Sequence, residues 1–354
     1  MSQRNILLYG ANGYTGHLIA RLSLERGLKF ILAGRDRAKI EALAAELKLS
    51  HRAFSLDETS ALDAALKDVA AVLHCAGPFS HTSRLMADAC LRNGVHYLDI
   101  TGEIAVFESL AARDAEAKSA RVMLLPGTGF DVVPSDCLAA HLKRRLPSAT
   151  KLTLGIQGLG RISHGTATTM VENINRGGLV RRDGRLSPVP AASKTRLIDF
   201  GRGPVSATTI PWGDVSTAYH STGIPNIEVY AAMPTAMRRM MKASRPFGRL
   251  LKSPAAQNFL KRRIKAQPAG PSDEERAKGK SFVWGEVEDE SGQRKASRLQ
   301  GPEGYTLTAL TALAIVERVL AGDAPAGFQT PSRAYGADFI LNIEGVKRED
   351  LETI

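Results

Sequence analysis

The fold is decided by residues 5–16, NILLYGANGYTG, near the start of the chain. Residues 5–9 are an apolar run typical of a buried strand, and a helical pattern runs from Gly13 or Tyr14 to about Arg26. Glycines at a strand-to-helix turn let main-chain N–H groups approach a diphosphate, and the helix N-terminus adds partial positive charge. The spacing GxxGxxG is a variant of the GxGxxG pattern. It predicts a nucleotide site formed by Gly10, Asn12, Gly13, Tyr14, Thr15 and Gly16.

The first third of the chain continues to alternate strand and helix patterns. Its strands are apolar runs and not alternating patterns, which indicates a parallel sheet covered on both faces. We therefore predict an α/β fold with a Rossmann-type doubly wound parallel sheet. The further strands are predicted at 30–33, 53–56, 69–76, 96–99 and 121–125, and the helices at 37–47, 59–66, 83–93 and 106–119.

After Pro126 the pattern changes to that of a second, α+β domain with a mixed or antiparallel sheet. We predict helices at 135–145 and 166–174, strands at 151–158, 195–198, 206–209 and 227–231, and a hairpin of 281–288 with 295–300. Residues 177–190 are predicted to be rich in loops, and the polar segment 267–280 to be an exposed loop. The apolar segment 305–320 is predicted to be a helix packed on every side.

The end of the second predicted strand favours NADP over NAD. NAD enzymes commonly place an acidic residue there, and such a residue would repel a 2′-phosphate. Here Arg35 follows Gly34 directly, and a guanidinium matches the geometry of a phosphate. Asp36 is the competing ribose ligand, but it also stands where a helix N-cap belongs, and we favour that role.

Further cofactor contacts are predicted after the third and fourth strands. Asp57 can touch the adenine amino group or remain a solvated loop carboxylate. Ala76, Gly77 and Pro78 follow the fourth strand, where backbone groups normally line the nicotinamide ribose. Cys75 is interpreted as a small apolar strand residue and not as a nucleophile.

Three residues are candidates for catalysis, although none stands out as the proton donor. Glu103 follows the fifth strand, where it can orient substrate or relay a proton, or instead cap the next helix. Asp131 lies at the crossover between the domains and is a candidate for lining the cleft. His164 can present an imidazole to an anionic substrate group or lie in a surface loop. No metal site is predicted, because no Cys, His and carboxylate cluster is visible.

The composition is that of a globular protein with an excess of positive charge. The 354 residues carry a net charge of +11, and the segment 238–265 contains ten Lys or Arg residues without a carboxylate. The segment 234–265 can dock an acidic carrier protein, lie in a membrane interface, or be a solvated helical face. No nucleic-acid partner is predicted, because no matching motif accompanies the charge. The three cysteines and the lack of an 18-residue apolar stretch favour the cytoplasm.

Several motifs together resemble the saccharopine-dehydrogenase-like oxidoreductases, in particular the branch with the trans-acting enoyl reductases. No tyrosine is followed four residues later by lysine, which excludes the short-chain dehydrogenases. The motifs are GANGYTG at 10–16, AGR at 33–35, GVHYLDITGE at 94–103, GFDVVPSD at 129–136, GT at 165–166, GPEGYTLT at 301–308 and TPS at 330–332. Residues 177–280 match only loosely.

The resemblance implies a division into domains and a class of reaction. It implies an NADP-binding Rossmann domain at 1–130, a substrate and dimerisation domain at 131–300, and C-terminal helices at 301–354 that return to the Rossmann domain. The expected protein is a homodimeric NADP(H)-dependent oxidoreductase acting on a small molecule. Our first hypothesis is a reductase of an activated double bond on an acyl chain, held by a carrier or coenzyme A.

Two other functions remain open at this point. One is a saccharopine-type dehydrogenase acting on an amino-acid C–N bond, which needs a cluster of arginines to hold several carboxylates. Arg161, Arg176, Arg181 and Arg182 are available for it. The other is a non-catalytic NADP(H)-binding protein.

Overall fold

The computed structural model describes residues 5–158, 160–173, 177–236, 238–239 and 253–352. The chain forms two compact units. Unit 1 comprises Met1–Val133 and Tyr305–Ala334, and unit 2 comprises Pro134–Gly304 and Tyr335–Ile354. Residues 335–354 thus lie with the second unit, whereas the sequence interpretation placed all of 301–354 with the first domain.

The described strands and helices are numbered along the chain. The strands are β1 (Asn5–Tyr9), β2 (Phe30–Gly34), β3 (His51–Ala53), β4 (Val69–His74), β5 (His96–Asp99), β6 (Met123–Leu125), β7 (Lys151–Gln157), β8 (Gly178–Arg182), β9 (Arg185–Val189), β10 (Thr195–Asp199), β11 (Pro204–Thr209), β12 (Asn226–Ala232), β13 (Lys280–Glu288), β14 (Arg294–Pro302), β15 (Gly327–Phe328) and β16 (Lys347–Leu351). The helices are α1 (Tyr14–Glu25), α2 (Arg37–Leu47), α3 (Thr59–Leu66), α4 (Phe79–Asn93), α5 (Ile104–Ala111), α6 (Asp114–Ser119), α7 (Val133–Arg145), α8 (His164–Asn173), α9 (Asp214–Thr222), α10 (Pro254–Lys265), α11 (Asp273–Lys278), α12 (Gly304–Leu320) and α13 (Pro331–Tyr335).

Unit 1 is built on a seven-stranded sheet with the order β3-β2-β1-β4-β5-β6-β15. All its strand pairs are parallel, so the first helices connect strands that run in one direction. This order is that of a doubly wound dinucleotide-binding sheet, extended by one short strand. The predicted fold class is confirmed.

Three residues at the carboxyl ends of neighbouring strands are aligned in this sheet. Tyr9 on β1 pairs in register with His74 on β4, and His74 pairs with Asp99 on β5. His74 and Asp99 are fully buried, and Tyr9 is nearly so. Because ligands of such sheets bind at the carboxyl ends of the strands, these residues underlie the expected site.

Several predicted elements of unit 1 differ from the structure: the helix predicted at 83–93 already begins at Phe79, and the strand predicted at 69–76 ends at His74. The strand predicted at 53–56 lies at His51–Ala53, while Phe54 and Leu56 beyond it fill the core. The helix predicted at 106–119 is divided into α5 and α6. At the break, Arg113 forms ion pairs with Asp88 and Glu116.

Unit 2 contains a nine-stranded mixed sheet among the described residues. Its main path is β10-β11-β12-β7-β13-β14-β16, with β8 paired to β12 and β9. Only β7 and β12 run parallel; the other described pairs are antiparallel. On one face Leu138 and Leu142 of α7 lie against Gly285 of β13.

Three predictions for this part of the chain were wrong. The loop-rich segment 177–190 contains the hairpin β8–β9. The polar segment 267–280 contains α11, whose capping box pairs Ser272 with Glu275 and satisfies the helix N-terminus. Residues 347–351 of the predicted C-terminal helices are the strand β16, paired with β14.

Candidate dinucleotide site and its acid residues

The glycine turn between β1 and α1 has no room for side chains. Gly10 has φ +83° and its N–H donates to the carbonyl of Ala33 at 2.8 Å. A Cβ added to Gly10 would lie 2.8 Å from the backbone N of Ala76, and one added to Gly16 would overlap the carbonyl oxygen of Gly10. Glycine is therefore required here by close backbone packing and not only by sequence pattern.

The turn leaves backbone available for a ligand. Asn12 and Gly13 are exposed, and Tyr14 and Thr15 are half-buried. Gly13 is the N-cap of α1 and forms no side-chain cap. A helix N-terminus without a side-chain cap suits a diphosphate, because its N–H groups and dipole favour negative charge. These residues fit the pyrophosphate of a dinucleotide.

Arg35 and Asp36 take different roles after β2. The Asp36 carboxylate accepts the backbone N–H of Lys39 at 3.2 Å, which caps α2 and confirms the predicted N-cap. Its pKa is lowered by hydrogen bonds with Lys39. Arg35 is exposed. With the acid engaged as a cap, the guanidinium remains as the group suited to a phosphate at this strand end.

Asp57 lies close to the same strand ends as Arg35. Burial raises the pKa of the Tyr9 hydroxyl to about 12; the charge of Arg35 opposes the shift and the charge of Asp57 adds to it. Asp57 itself is exposed, and its adenine contact stays a prediction.

The loop after β4 is held by side chains at both ends. Thr82 Oγ1 of α4 lies 2.8 Å from the carbonyl oxygen of Ala76 and 2.9 Å from His74 Nε2. The Glu103 carboxylate accepts the N–H of Phe79 at 2.7 Å and that of Ser80 at 3.1 Å. Glu103 therefore caps α4, whereas the sequence left open a cap of the following helix; its catalytic role stays a prediction.

The predicted loop residues lie where β4 meets the glycine turn. Ala76 and Pro78 are half-buried and Gly77 is exposed. Burial and the nearby Asp99 raise the pKa of the Cys75 thiol, so a thiolate is disfavoured. This agrees with the interpretation that Cys75 is not a nucleophile, although the residue lies just beyond the end of β4 and not in the strand.

Asp99 is a buried carboxyl group whose role was not predicted from the sequence. It accepts the hydroxyl of Tyr97 at 2.6 Å and the N–H groups of Thr101 and Gly127, each at 2.9 Å. Burial raises its pKa to about 6, against the effect of these hydrogen bonds. Asp99 thereby fixes the loop after β6 to the end of β5.

Asp131 follows that fixed loop and packs against the end of β5. A Cβ added to Gly102 would lie 2.8 Å from Asp131 Oδ2. Burial raises the pKa of Asp131 to about 6. Among the described residues its carboxyl group has no hydrogen-bond or ion-pair partner. A carboxyl group in this state can exchange a proton near neutral pH.

His164 and the arginines of the C–N bond hypothesis lie in unit 2 or outside the described residues. His164 Nε2 donates to the carbonyl of Gln267 at 2.7 Å, which ties the start of α8 to the segment after α10. Arg181 is buried and Arg182 exposed on β8, so the two face opposite sides of the strand. Arg161 pairs with Glu275, and Arg176 lies outside the described residues.

The described part of the chain contains neither a cluster of potential metal ligands nor a helix able to span a membrane. No three His, Cys, Asp or Glu side chains there form a potential metal site. No helix in these ranges combines the length and the apolar character needed to cross a bilayer.

Comparison with known proteins identifies the N-terminal domain. Residues 6–125 match the family model of the saccharopine dehydrogenase NADP binding domain. A trans-acting enoyl reductase of Mycobacterium leprae (strain TN) is 34% identical over 152 residues, covering 40% of this chain and 36% of that protein. The human saccharopine dehydrogenase-like oxidoreductase is 26% identical over 162 residues, covering 40% of this chain and 38% of that protein. The matches thus span little more than a third of each relative.

A solved structure matches the whole chain in fold. Apo saccharopine dehydrogenase (L-Glu forming) from Saccharomyces cerevisiae aligns with a TM-score of 0.68, covering 99% of this chain and 100% of that one, at 13% identity. At this identity the match concerns the fold alone. Residues 6–125 therefore match the NADP binding domain of saccharopine dehydrogenase, within a chain similar in fold to the yeast enzyme.

Proposed function

We propose that this chain is an NADPH-dependent reductase of an activated double bond on an acyl or similar small molecule. The observation that supports this proposal most is Asp131, which packs against Gly102 at the end of β5, has a pKa raised by burial, and lies in the same unit as the dinucleotide turn. NADPH, when bound, supplies hydride, and reduction of a double bond also requires one proton. Asp131 would donate that proton to the second carbon and then be reprotonated by solvent.

Other predicted site residues enter this proposal with different roles. Glu103 would position the loop after β4 and not transfer a proton, because its carboxylate already accepts two backbone N–H groups. His164 would contact an anionic part of the substrate only by giving up its bond to Gln267. The proposal therefore depends on Asp131 for proton donation.

The test of the reaction is a substrate panel followed through NADPH consumption. We expect turnover with α,β-unsaturated acyl thioesters, free or on a carrier, and none with amino acid plus keto acid. The reverse result would establish C–N bond chemistry in place of double-bond reduction. Tight NADPH binding without turnover on any substrate would favour the non-catalytic alternative.

Cofactor choice gives a second, independent prediction. Arg35 is expected to bind the 2′-phosphate, so Arg35→Ala should raise the Kd for NADPH by about 10- to 100-fold. The Kd for NADH, which lacks that phosphate, should rise less than about threefold. Calorimetric titration with both cofactors measures the two ratios. The neighbouring Arg37→Ala is the matched control, since its side chain pairs with Glu41 of its own helix. An equal loss for both cofactors would refute the assignment.

We also propose that the basic segment 234–265 contacts an anionic surface. Residues 240–252 lie outside the described residues, but α10 is described. On α10, Phe259 is 61% exposed and Arg262 and Arg263 are exposed. An exposed aromatic side chain beside cations favours a membrane surface over an acidic carrier protein. If the segment has no binding partner, α10 is a solvated helical face, and the test below includes this outcome.

Two remaining proposals concern the state of the protein. We propose a homodimer joined through the edge strand β10, which exposes Leu197 to 69%. We also propose a cytoplasmic location. It is supported by Cys75, Cys90 and Cys137, which are free thiols as is usual in a reducing compartment.

A further inference from the structure

A buried imidazole at the end of β4 has an unpaired ring nitrogen. His74 has no exposed surface and lies among aromatic rings, with centroid distances of 5.6 Å to Tyr9, 5.3 Å to Phe79 and 6.3 Å to Tyr97. Burial lowers its pKa to about 3, so the ring is neutral. Within the described residues Nδ1 has no hydrogen-bond partner. An unpaired buried polar atom costs stability, so packing alone does not explain the histidine.

The other ring nitrogen belongs to a directed chain of hydrogen bonds. His74 Nε2 lies 2.9 Å from Thr82 Oγ1, which in turn lies 2.8 Å from the carbonyl oxygen of Ala76. A hydroxyl has one proton. If Thr82 donates it to Ala76, the imidazole must donate from Nε2, and Nδ1 is left as a bare acceptor. The opposite direction would bury an unpaired N–H on Nδ1 and break the bond to Ala76, together with the longer contact of 3.3 Å from Thr82 Oγ1 to the carbonyl oxygen of Pro78.

The carbonyl at the end of this chain belongs to the residue that packs on the glycine turn. A Cβ on Gly10 would lie 2.8 Å from Ala76 N and 2.9 Å from Ala76 Cβ. The preceding residue, Cys75, donates its N–H to the carbonyl of Tyr9 at 2.8 Å. Displacing Ala76 would therefore disturb both the loop after β4 and the turn expected to hold the diphosphate.

We propose that His74 is a positioning residue for the dinucleotide site, acting through Thr82 to fix the carbonyl of Ala76. The inference rests on the NADP-binding part of the proposed function. A loop already held in its binding conformation loses less freedom when the ligand binds, so affinity depends on the chain of hydrogen bonds. His74 thus lowers stability through Nδ1 while ordering the site through Nε2.

The first test replaces the imidazole by an apolar ring of similar size. In His74→Phe we expect the NADPH Kd to rise about tenfold, since one ordering hydrogen bond is lost. The melting temperature of the cofactor-free protein should stay the same or rise, because the unpaired Nδ1 is gone. A purely structural role for His74 predicts the opposite pair of results: a lower melting temperature and an unchanged Kd. That pair would overturn the inference.

Thr82 provides a second test that does not depend on the His74 variant folding. Thr82→Ser keeps the hydroxyl and should bind NADPH like the wild type, whereas Thr82→Val should raise the Kd about tenfold. Adding His74→Phe to Thr82→Val should cause little further loss, because the two residues act in one chain. Equal NADPH affinities for the Ser and Val variants would refute the role of this chain of hydrogen bonds.

A control and the wild type separate this inference from the proposed function. Met86→Leu alters a fully buried residue of the same helix, keeps its volume nearly constant, and should leave the Kd unchanged. If Met86→Leu also raises the Kd about tenfold, general core packing is responsible, and the role of the chain of hydrogen bonds is refuted. If the wild type binds NADPH and no variant differs from it, only the inference fails. If the wild type binds no NADPH, the proposed function fails with it.

Discussion

Asp131 keeps a carboxyl group in a position that disfavours its charge. Its pKa in the folded protein is about 6, compared with an ordinary value of 3.8, and burial is the cause. A carboxyl group with a raised pKa destabilises the fold as the pH rises. Between the two pKa values the folded state holds a proton that the unfolded state has lost, so the free energy of unfolding falls with pH in that interval.

Asp131→Asn should therefore separate stability from activity. The difference in free energy of unfolding between the variant and the wild type should rise in favour of the variant by about 1–3 kcal/mol between about pH 4 and pH 6. Above about pH 6 the difference should stay constant. Reduction of the double bond should fall at least about 100-fold, because the proton donor is lost. Urea unfolding at several pH values and NADPH consumption measure the two effects.

The exposed Asp57 supplies the matched control for stability. Asp57→Asn removes a carboxylate from the same unit without burial and should leave the pH dependence of unfolding as in the wild type. An Asp131→Asn protein that loses stability at neutral pH would contradict burial as the source of the shift. One that keeps full activity would remove Asp131 as the acid.

Asp99 shows why a raised pKa alone does not mark a catalytic group. Its pKa is also about 6 by burial, but a tyrosine hydroxyl and two backbone N–H groups donate to its oxygens. These bonds commit the carboxyl group to holding the loop at Gly127. Asp131 has no such bonds among the described residues, and this difference distinguishes the two acids.

At the scale of elements, α10 is the part of the basic segment that the structure makes testable. Phe259→Asp and the double variant Arg262→Glu, Arg263→Glu should each reduce binding to vesicles containing phosphatidylserine. Each arginine near an anionic surface contributes about 1 kcal/mol, so the double variant should lose at least about tenfold. Co-sedimentation at low and high salt, with pure phosphatidylcholine vesicles as reference, measures the effect.

Leu341→Asp provides the control for α10, because it changes another exposed apolar residue outside the basic segment. It should bind vesicles like the wild type. Binding to an acidic carrier protein without binding to vesicles would show that the surface binds a carrier protein and not a membrane. Binding to neither would leave α10 as a solvated face and refute the proposal.

Elements with local signals were predictable, and contacts between distant residues were not. The N-cap at Asp36 and the bounds of β1, α2 and α3 follow from signals within a few residues. Glu103 capping α4 joins residues 24 positions apart, and Asp99 reaches 28 positions to Gly127. From the sequence, Glu103 was assigned a catalytic role or a cap on the following helix, and Asp99 was assigned no role.

Two elements that were predicted as loops carry a local signal in their sequence. Asp183 and Gly184 both have positive φ between β8 and β9, and Asp-Gly between short strands is a strong hairpin signal. Ser272 and Glu275 have the spacing of a capping box, which marks the start of α11. In residues 267–280 the polar composition and the two prolines outweighed this signal and led to the prediction of a loop.

At the scale of the molecule, ligand binding and stability are linked in unit 1. The glycine turn, Arg35 and the loop after β4 all belong to that unit. NADPH should therefore stabilise the folded unit according to its concentration relative to Kd, by about 2.7 kcal/mol at one hundred times Kd. Unfolding of cofactor-site variants must accordingly be measured without cofactor, because a change in NADPH affinity would otherwise change the measured free energy of unfolding.

The dimer proposal follows from the edge of the sheet in unit 2. β10 is the end strand of the described path, and its backbone groups on the open side can pair with another strand. In a two-fold symmetric antiparallel pairing of two copies, the middle residue of a strand faces its own copy. Leu197 is the middle residue of β10 and is 69% exposed, so the two leucines would cover each other.

Leu197→Lys should therefore convert the homodimer to a monomer, since it places two like charges opposite each other at the centre of the interface. Light scattering during size-exclusion chromatography should give twice the chain mass for the wild type and once the chain mass for the variant. NADPH binding should be retained, because β10 lies outside the unit that carries the dinucleotide turn. Leu341→Lys, which also charges an exposed leucine, should remain dimeric. A monomeric wild type would refute the dimer, and a dimeric Leu197→Lys protein would place the interface away from β10.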